Sequence, residues 1–502
     1  MNCQMKKSEL VISLIAITAF NSCSEHEKTP PNIVIIYADD MGYGDLSYQN
    51  PNSKIPTPNL DQLASEGMLF TDAHSSSGIC SPSRFALLTG KYHWRRQHNI
   101  VTSFGKPFFN ESDITLPQVL KQNGYATACI GKWHLGWNWE FKNEPSGIVT
   151  ENDIDWSKPV SGGPLDRGFD YYFGDGTINF PPYAWVENDR IIEAPTEMMY
   201  SDNIGYETKE GAWEFRHGPR VEGWNPYEVL PTLTNKTIEW VNNHSKDQPF
   251  FLYFSLPSPH APIIPNDEFD GTSEAGAYGD FIFQTDWVIG QVLNTIKENG
   301  FEDNTIIIFT SDNGPEHYAF ARAKNYAHFS MGIFRGLKVD IWEGGHRIPM
   351  IIKWPGHIEA GSVSDKLVSQ IDYMSTFAAI TGIKLPEGAA PDSYNFLPTL
   401  LGESYDFPER DVLIHNTFAT KWAVRKGEWL YMNTNSGEHR RMPEFFKELR
   451  GYTDFGTEGL LFNLKKDPEQ RNNLYEQYPE RVMEMDNLLT EEKARGYLVN
   501  EN

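Results

Sequence analysis

Unbroken apolar runs, rather than alternating ones, mark most of the first four hundred or so positions. Asn32 is followed by Ile33-Val-Ile-Ile-Tyr-Ala38, a stretch with no polar face. A strand of this kind is buried on both sides, as in a parallel sheet covered by helices. Comparable runs predict strands at Tyr125–Ile130, Pro249–Ser255 and Asn304–Thr310, with further β-rich sequence at Met350–Trp354. The intervals carry helical periodicity. Thr57-Pro58 opens one helix, with threonine as cap, Leu60, Leu63 and Ala64 as its apolar face and Gly67 as its stop. A second starts at Thr115, with Leu116, Val119 and Leu120 on one side and Gly124 as stop. Alternation of this type from about residue 32 to 385 predicts an α/β fold, a large mostly parallel sheet flanked by helices.

Beyond about Leu401 the texture changes. Val412–His415, Trp422–Arg425 and Trp429–Met432 read as short antiparallel strands, and Tyr478–Arg495 as a closing helix. The expected organisation is a main domain over 32–400 and a smaller C-terminal α+β subdomain over 401–502. Residues 1–22 do not belong to either. Lys6 and Lys7 precede an apolar run from Leu10 to Phe20, too short to span as a mature helix, and then Asn21-Ser22-Cys23. This resembles a bacterial lipoprotein signal peptide, with Cys23 as the acylated first residue and 23–31 as a polar tether; the alternative is an ordinary signal peptide cut nearby. Either way the chain is expected to be exported. With lipidation it would sit in the periplasm or on the surface of a bacterium, held to the membrane through Cys23.

Composition narrows the picture. Apolar residues are 39% and charged residues 22% of 502, the balance of a globular protein. The formal net charge of -25 excludes a nucleic-acid partner, since no phosphate backbone is drawn to such a surface. Of four cysteines, Cys3 and Cys23 fall in the export signal, leaving Cys80 and Cys129 and no disulfide framework. Cys129 sits in an apolar stretch and reads as a small buried thiol. Cys80 needs another explanation.

In an open parallel sheet, ligands bind beyond the carboxyl ends of the strands. The residues that follow the apolar runs here are Asp39-Asp40, Lys132 and His134, His260, and Asp312-Asn313. A single strand-end aspartate is usually a turn or cap residue, but four strands deliver polar groups together. Asp39, Asp40, Asp312 and Asn313 are hard oxygen donors that suit Ca²⁺ or Mg²⁺, and adjacent aspartates repel unless a cation neutralises them. Cys80-Ser-Pro-Ser-Arg84, followed by an apolar helix ending at Gly90, puts Cys80 at a helix N-terminus, where a thiol of low pKa is expected.

Cys-x-Pro-Ser-Arg followed by Leu-Thr-Gly resembles the signature of the type I sulfatases of the alkaline phosphatase superfamily. So do Gly131-Lys-Trp-His-Leu-Gly136, Pro259-His-Ala-Pro262, Thr310-Ser-Asp-Asn-Gly314, Arg335-Gly-Leu-Lys338 and Glu343-Gly-Gly-His-Arg-Ile-Pro349. The likeness implies that a maturation enzyme converts Cys80 to Cα-formylglycine. It implies one Ca²⁺ held by Asp39, Asp40, Asp312, Asn313 and modified Cys80. Arg84 would steady the formylglycine hydrate, and Lys132 and Lys338 would hold the sulfate. His134 would take the proton of the second diol hydroxyl, and His260 would face the leaving oxygen.

Gly163–Gly174, Asn179–Tyr183 and Glu187–Arg190 resemble the arylsulfatase A and N-acetylgalactosamine-6-sulfatase branch. That implies a sulfated glycan substrate carrying 6-O-sulfate on galactose or N-acetylgalactosamine, with Asp170 and His217 as candidates for gripping sugar hydroxyls. Turn and solvated-loop roles are the alternatives for those two. His74, His93 and His98 read as packing or supporting residues. Two rival functions stay open at this point: a phosphodiesterase or phosphonate monoester hydrolase of the same superfamily, and a non-catalytic lipoprotein that captures sulfated glycans.

Overall fold

In the computed structural model, which describes residues 1, 30–143, 145 and 147–495, ten strands form one sheet. They are β1 (Asn32–Ala38), β2 (Met68–Phe70), β3 (Ala126–Lys132), β4 (Tyr171–Gly176), β5 (Val186–Glu187), β6 (Arg190–Ile191), β7 (Phe250–Ser255), β8 (Thr305–Ser311), β9 (Met350–Lys353) and β10 (Ser362–Ser364). Their spatial order is β10-β2-β9-β8-β1-β7-β3-β4-β5-β6. The central five, β8-β1-β7-β3-β4, are mutually parallel. Antiparallel pairings of β9 and β2 extend one side, and those of β5 and β6 extend the other. This is the mostly parallel sheet that the apolar runs call for. The export segment, with Cys3 and Cys23, lies outside the described residues.

Helices that cover the sheet include α1 (Pro58–Glu66), α2 (Cys80–Thr89), α3 (Leu116–Gln122), α4 (Val229–Asn242) and α5 (Gly276–Glu298). Side chains of β1 divide by parity. Val34, Ile36 and Ala38 join a core with α1, α4 and α5, while Ile33, Ile35 and Tyr37 join a second core with α2 and α3. Two buried faces explain the unbroken apolar run. The α3 start is as expected, with Thr115 and Gln118 forming a capping box. The α1 start differs. The Thr57 hydroxyl donates to Asp61 (2.9 Å), and the free N–H groups of Asn59 and Leu60 are taken by Asp286 of α5 (3.0 and 2.8 Å). Capping in trans cannot be read from the local sequence.

The C-terminal part holds four antiparallel strands, β11 (Val412–Asn416), β12 (Trp422–Lys426), β13 (Trp429–Met432) and β14 (Leu460–Asn463), with α6 (Pro479–Ala494) packed on them. The sequence reading missed β14, whose apolar run is only three residues long. This layer is continuous with the main body. Ala86 of α2, Tyr92 and Ile371 share one apolar cluster with Leu413, Val424 and Met485. Helix α2 is therefore held on two sides, and burial of Phe85, Leu87 and Leu88 stabilises it by roughly 1.5–3 kcal/mol each.

Candidate active site

All five parallel strands send polar groups past their carboxyl ends to one place. Chain geometry there is sharp. Asp40 (φ 65°) and His134 (φ 51°) both adopt the left-handed region immediately beyond β1 and β3. Gly131 has φ 109°, and a Cβ there would sit 2.0 Å from the Ser255 carbonyl oxygen, so only glycine fits. Register between β3 and β4 shifts between Ile130 and Lys132, a bulge that re-aims Lys132.

The carboxylates and cations interlock. Lys132 Nζ donates to Asp39 Oδ2 (2.5 Å) and Lys338 Nζ to Asp40 Oδ2 (2.7 Å). Arg84 gives one nitrogen to Asp312 Oδ2 (2.8 Å) and the other to Ser255 Oγ (2.5 Å), with its guanidinium over the Tyr37 ring. The Asn313 amide donates to Asp40 Oδ1 (2.7 Å), and the Asp40 N–H to Asp312 Oδ1 (3.1 Å). Ligand atoms of Asp39, Asp40, Cys80 and His260 lie within 4.8 Å of one another. Asp39, Asp40, Arg84, Lys132, Asp312 and Asn313 are fully buried. The acidic chain thus concentrates three cations in one cavity.

Electrostatics favour an added cation. Burial opposes ionisation of Asp39, yet Lys132, His260 and Arg84 outweigh it and hold the carboxyl well below the ordinary range. Asp312 goes the other way, pushed up to about 7 by burial and by the charge of Asp39. Asn313 Oδ1 accepts no hydrogen bond, and Asp39 Oδ1 has only a long approach by Arg84 (3.5 Å). Three carboxylates and an amide, with two buried oxygens left over, fit a hard divalent cation.

The thiol departs from expectation. Cys80 begins α2 as predicted, but burial pushes it up to about 12, so desolvation outweighs the helix N-terminus and the nearby lysines. Unmodified, it is a poor nucleophile. Cys129 is a buried thiol in the core, as its setting suggested.

The two histidines have defined tautomers. His134 Nε2 faces the Val101 carbonyl (2.9 Å) and must donate, leaving Nδ1, which has no partner, as an acceptor. His260 Nδ1 faces the Ala261 carbonyl (2.5 Å), so Nε2 is the end available for proton exchange, 3.6 Å from Asp40 Oδ2. Burial lowers both histidines, helped by Lys132 at His134 and by Lys338 at His260.

The structure brings together Asp39, Asp40, Cys80, Arg84, Lys132, His134, His260, Asp312, Asn313 and Lys338. It leaves two candidates out. Asp170 lies at the opposite end of the sheet, before β4, where it binds Lys121 (2.6 Å) and the Thr127 N–H and hydroxyl (both 3.0 Å), tying α3 to the sheet. His217 is exposed, against Ser201 and Tyr200. The cavity of about 180 Å³ above Cys80 is lined instead by Asn179, Glu214, Arg216, Glu316, His317 and Arg440. Asp175, at the end of β4, is also buried near Lys132 with neither oxygen bonded. It directly follows Tyr171–Gly174, as the polar residues of the other strands follow their apolar runs.

Comparison with known proteins gives the family. The "Sulfatase" profile matches residues 31–383, and "N-sulphoglucosamine sulphohydrolase, C-terminal" matches 337–495. An N-acetylgalactosamine-6-O-sulfatase of Bacteroides thetaiotaomicron is 34% identical over 97% of this chain and 99% of its own. The human N-acetylgalactosamine-6-sulfatase is 32% identical over 88% and 81%. A solved Bacteroides thetaiotaomicron structure, described as a 6S-sulf in the metabolism of multiple glycosaminoglycans, superposes with a TM-score of 0.77 at 33% identity, covering 93% of this chain and 100% of that one.

Proposed function

The chain belongs to the sulfatase family and hydrolyses sulfate esters, and from that premise we propose that it removes 6-O-sulfate from galactose or N-acetylgalactosamine in sulfated glycans. The observation that carries the reading is the convergence of Cys80, Lys132, His134, His260 and Lys338 on one buried carboxylate cluster. Relatives named for N-acetylgalactosamine-6-sulfate support the sugar.

We assign Ca²⁺ to Asp39, Asp40, Asp312 and Asn313, and formylglycine to position 80. When present, the ion neutralises charge on the sulfate and the formylglycine supplies a hydroxyl nucleophile that can later be freed by elimination. The remaining work falls to side chains. Lys132 and Lys338 face the sulfate oxygens and Arg84 fixes the Asp312 carboxylate, so charge in the transition state meets groups already in place. His260 delivers a proton from Nε2 to the departing sugar oxygen, and Lys338 beside it favours giving the proton up. His134, acceptor at Nδ1, receives the proton that must leave for the second half-reaction. The acid and the base are thus different residues with opposite free nitrogens.

Maturation by a formylglycine-generating enzyme, export and a lipid anchor at Cys23 complete the proposal. Its test is sulfate release from 6-sulfated and 4-sulfated N-acetylgalactosamine and from 6-sulfated galactose. Preference for the 6-position supports the assignment, and preference for another position, or for a phosphate ester, reverses it.

A further inference from the structure

A second group of metal-binding side chains lies apart from the reaction cavity. His74, Glu343, His346 and His415 are all buried (0–1% exposed), with potential ligand atoms within 4.8 Å of one another. They come from three distant segments: the stretch leading into α2, a four-residue helix Glu343–His346 beyond Lys338, and β11 of the C-terminal sheet.

The hydrogen bonds allow an arrangement that calls for a cation. His74 Nε2 is 2.8 Å from Asp72 Oδ1, to which it donates in one tautomer, and 3.2 Å from an Arg425 guanidinium nitrogen, from which it accepts in the other. His346 Nε2 faces the Ile341 carbonyl (3.3 Å) and likewise donates. With His74 Nε2 as donor each ring has a lone pair on Nδ1, and the two Nδ1 atoms are 3.0 Å apart. Two lone pairs at that distance repel unless a cation lies between them. Both nitrogens of His415 and Oε1 of Glu343 are buried without a partner.

The pattern is that of a metal site with its supporting layer. Metal-bound histidines donate their other nitrogen to a carboxylate or a backbone carbonyl, as His74 and His346 do here. Nitrogen ligands about 2.0–2.1 Å from a tetrahedral zinc lie roughly 3.3–3.4 Å apart, a few tenths of an ångström beyond the observed separation. His415 stacks on His346 (3.6 Å, 11°), which sets their in-plane lone pairs parallel, so His415 must turn out of the stack to bind the same ion. No hydrogen bond resists that rotation.

We propose that His74, His346, His415 and Glu343 hold a structural divalent metal of the zinc class, separate from the catalytic ion, that fastens the C-terminal sheet to the segments carrying Cys80 and Lys338. Imidazole-rich sites favour zinc over calcium.

The test uses the mature full-length chain, stripped with a chelator, reloaded with Zn²⁺ and dialysed, with metal content measured by mass spectrometry. Wild type and Asp312→Asn, altered only in the reaction cavity, should each retain one zinc per chain and gain thermal stability from it. His346→Gln and His415→Gln should retain none and gain nothing. Retention at the wild-type level by the histidine variants, loss of zinc in Asp312→Asn alone, or no retention by any of the four overturns the proposal. Should the histidine variants fail to fold, Co²⁺ added to the wild type decides. Intense visible absorption of a tetrahedral, nitrogen-ligated ion supports the site, and the weak spectrum of an octahedral oxygen-ligated ion refutes it.

Discussion

Replacing His260 by glutamine isolates the proton delivered to the leaving group. The imidazole is 7% exposed, its Nδ1 is committed to the Ala261 carbonyl at 2.5 Å, and its Nε2 is directed to the cavity beside Lys338. Glutamine keeps much of the bulk and an N–H donor but cannot release a proton. General acid catalysis supplies about 10²–10⁴-fold, or roughly 2.7–5.4 kcal/mol at 1.36 kcal/mol per tenfold. On a 6-sulfated sugar, whose alkoxide leaves poorly, H260Q should lose that factor in kcat with little change in KM. On an aryl sulfate with a stable phenolate, protonation matters far less, and the loss should shrink to about tenfold or below. Steady-state kinetics on both substrates provide the assay. Equal losses on the two would refute the acid role and make His260 a positioning or binding residue.

Other perturbations probe separate parts of the site. In the calcium-free protein Arg84→Ala leaves Asp312 buried without its cation, and equilibrium unfolding should register a cost of about 3–5 kcal/mol; an unchanged denaturation midpoint would mean that the pair carries no net energy. Chelation should abolish sulfate release and Ca²⁺ alone should restore it; activity that survives chelation, or returns only with zinc, would contradict the oxygen-donor assignment. Burial pushes Asp286 up to about 6 despite the α1 N–H groups it accepts, above the usual carboxylate value of about 3.9. Its protonated form therefore contributes stability that is present below pH ~4 and lost as pH rises through about 6. Between those values the wild type should lose up to about 3 kcal/mol relative to Asp286→Asn, seen as diverging urea midpoints; parallel curves would refute the shifted carboxyl.

What the sequence made legible follows from which interactions are local. Ile33–Ala38 and its sister runs declare strands buried on both faces, and the residues just after them are placed by chain connectivity alone, so Asp39, Lys132, His260 and Asp312 could be expected together. The C-terminal texture announced three of four strands, and Leu460–Asn463 was too short to stand out. Contacts between distant segments were not legible. Nothing around Thr57 shows that Asp286 serves its helix, and helix position alone misjudged Cys80, because its protonation is decided by burial. Asp170 falls in a segment that carries the family resemblance, whereas His217 falls in none. Asp170 sits at the wrong end of β4, while Arg216, one residue before His217, faces the cavity.

Cys80→Ala bears on the whole arrangement at once, because it removes the proposed nucleophile while leaving the carboxylates, lysines and histidines in place. Sulfate released from 6-sulfated N-acetylgalactosamine should be measured for this variant and the matured wild type under identical loading with Ca²⁺. The geometry predicts release by the wild type and none above background from the variant. Release at a comparable rate from both would contradict it and move the chemistry away from residue 80.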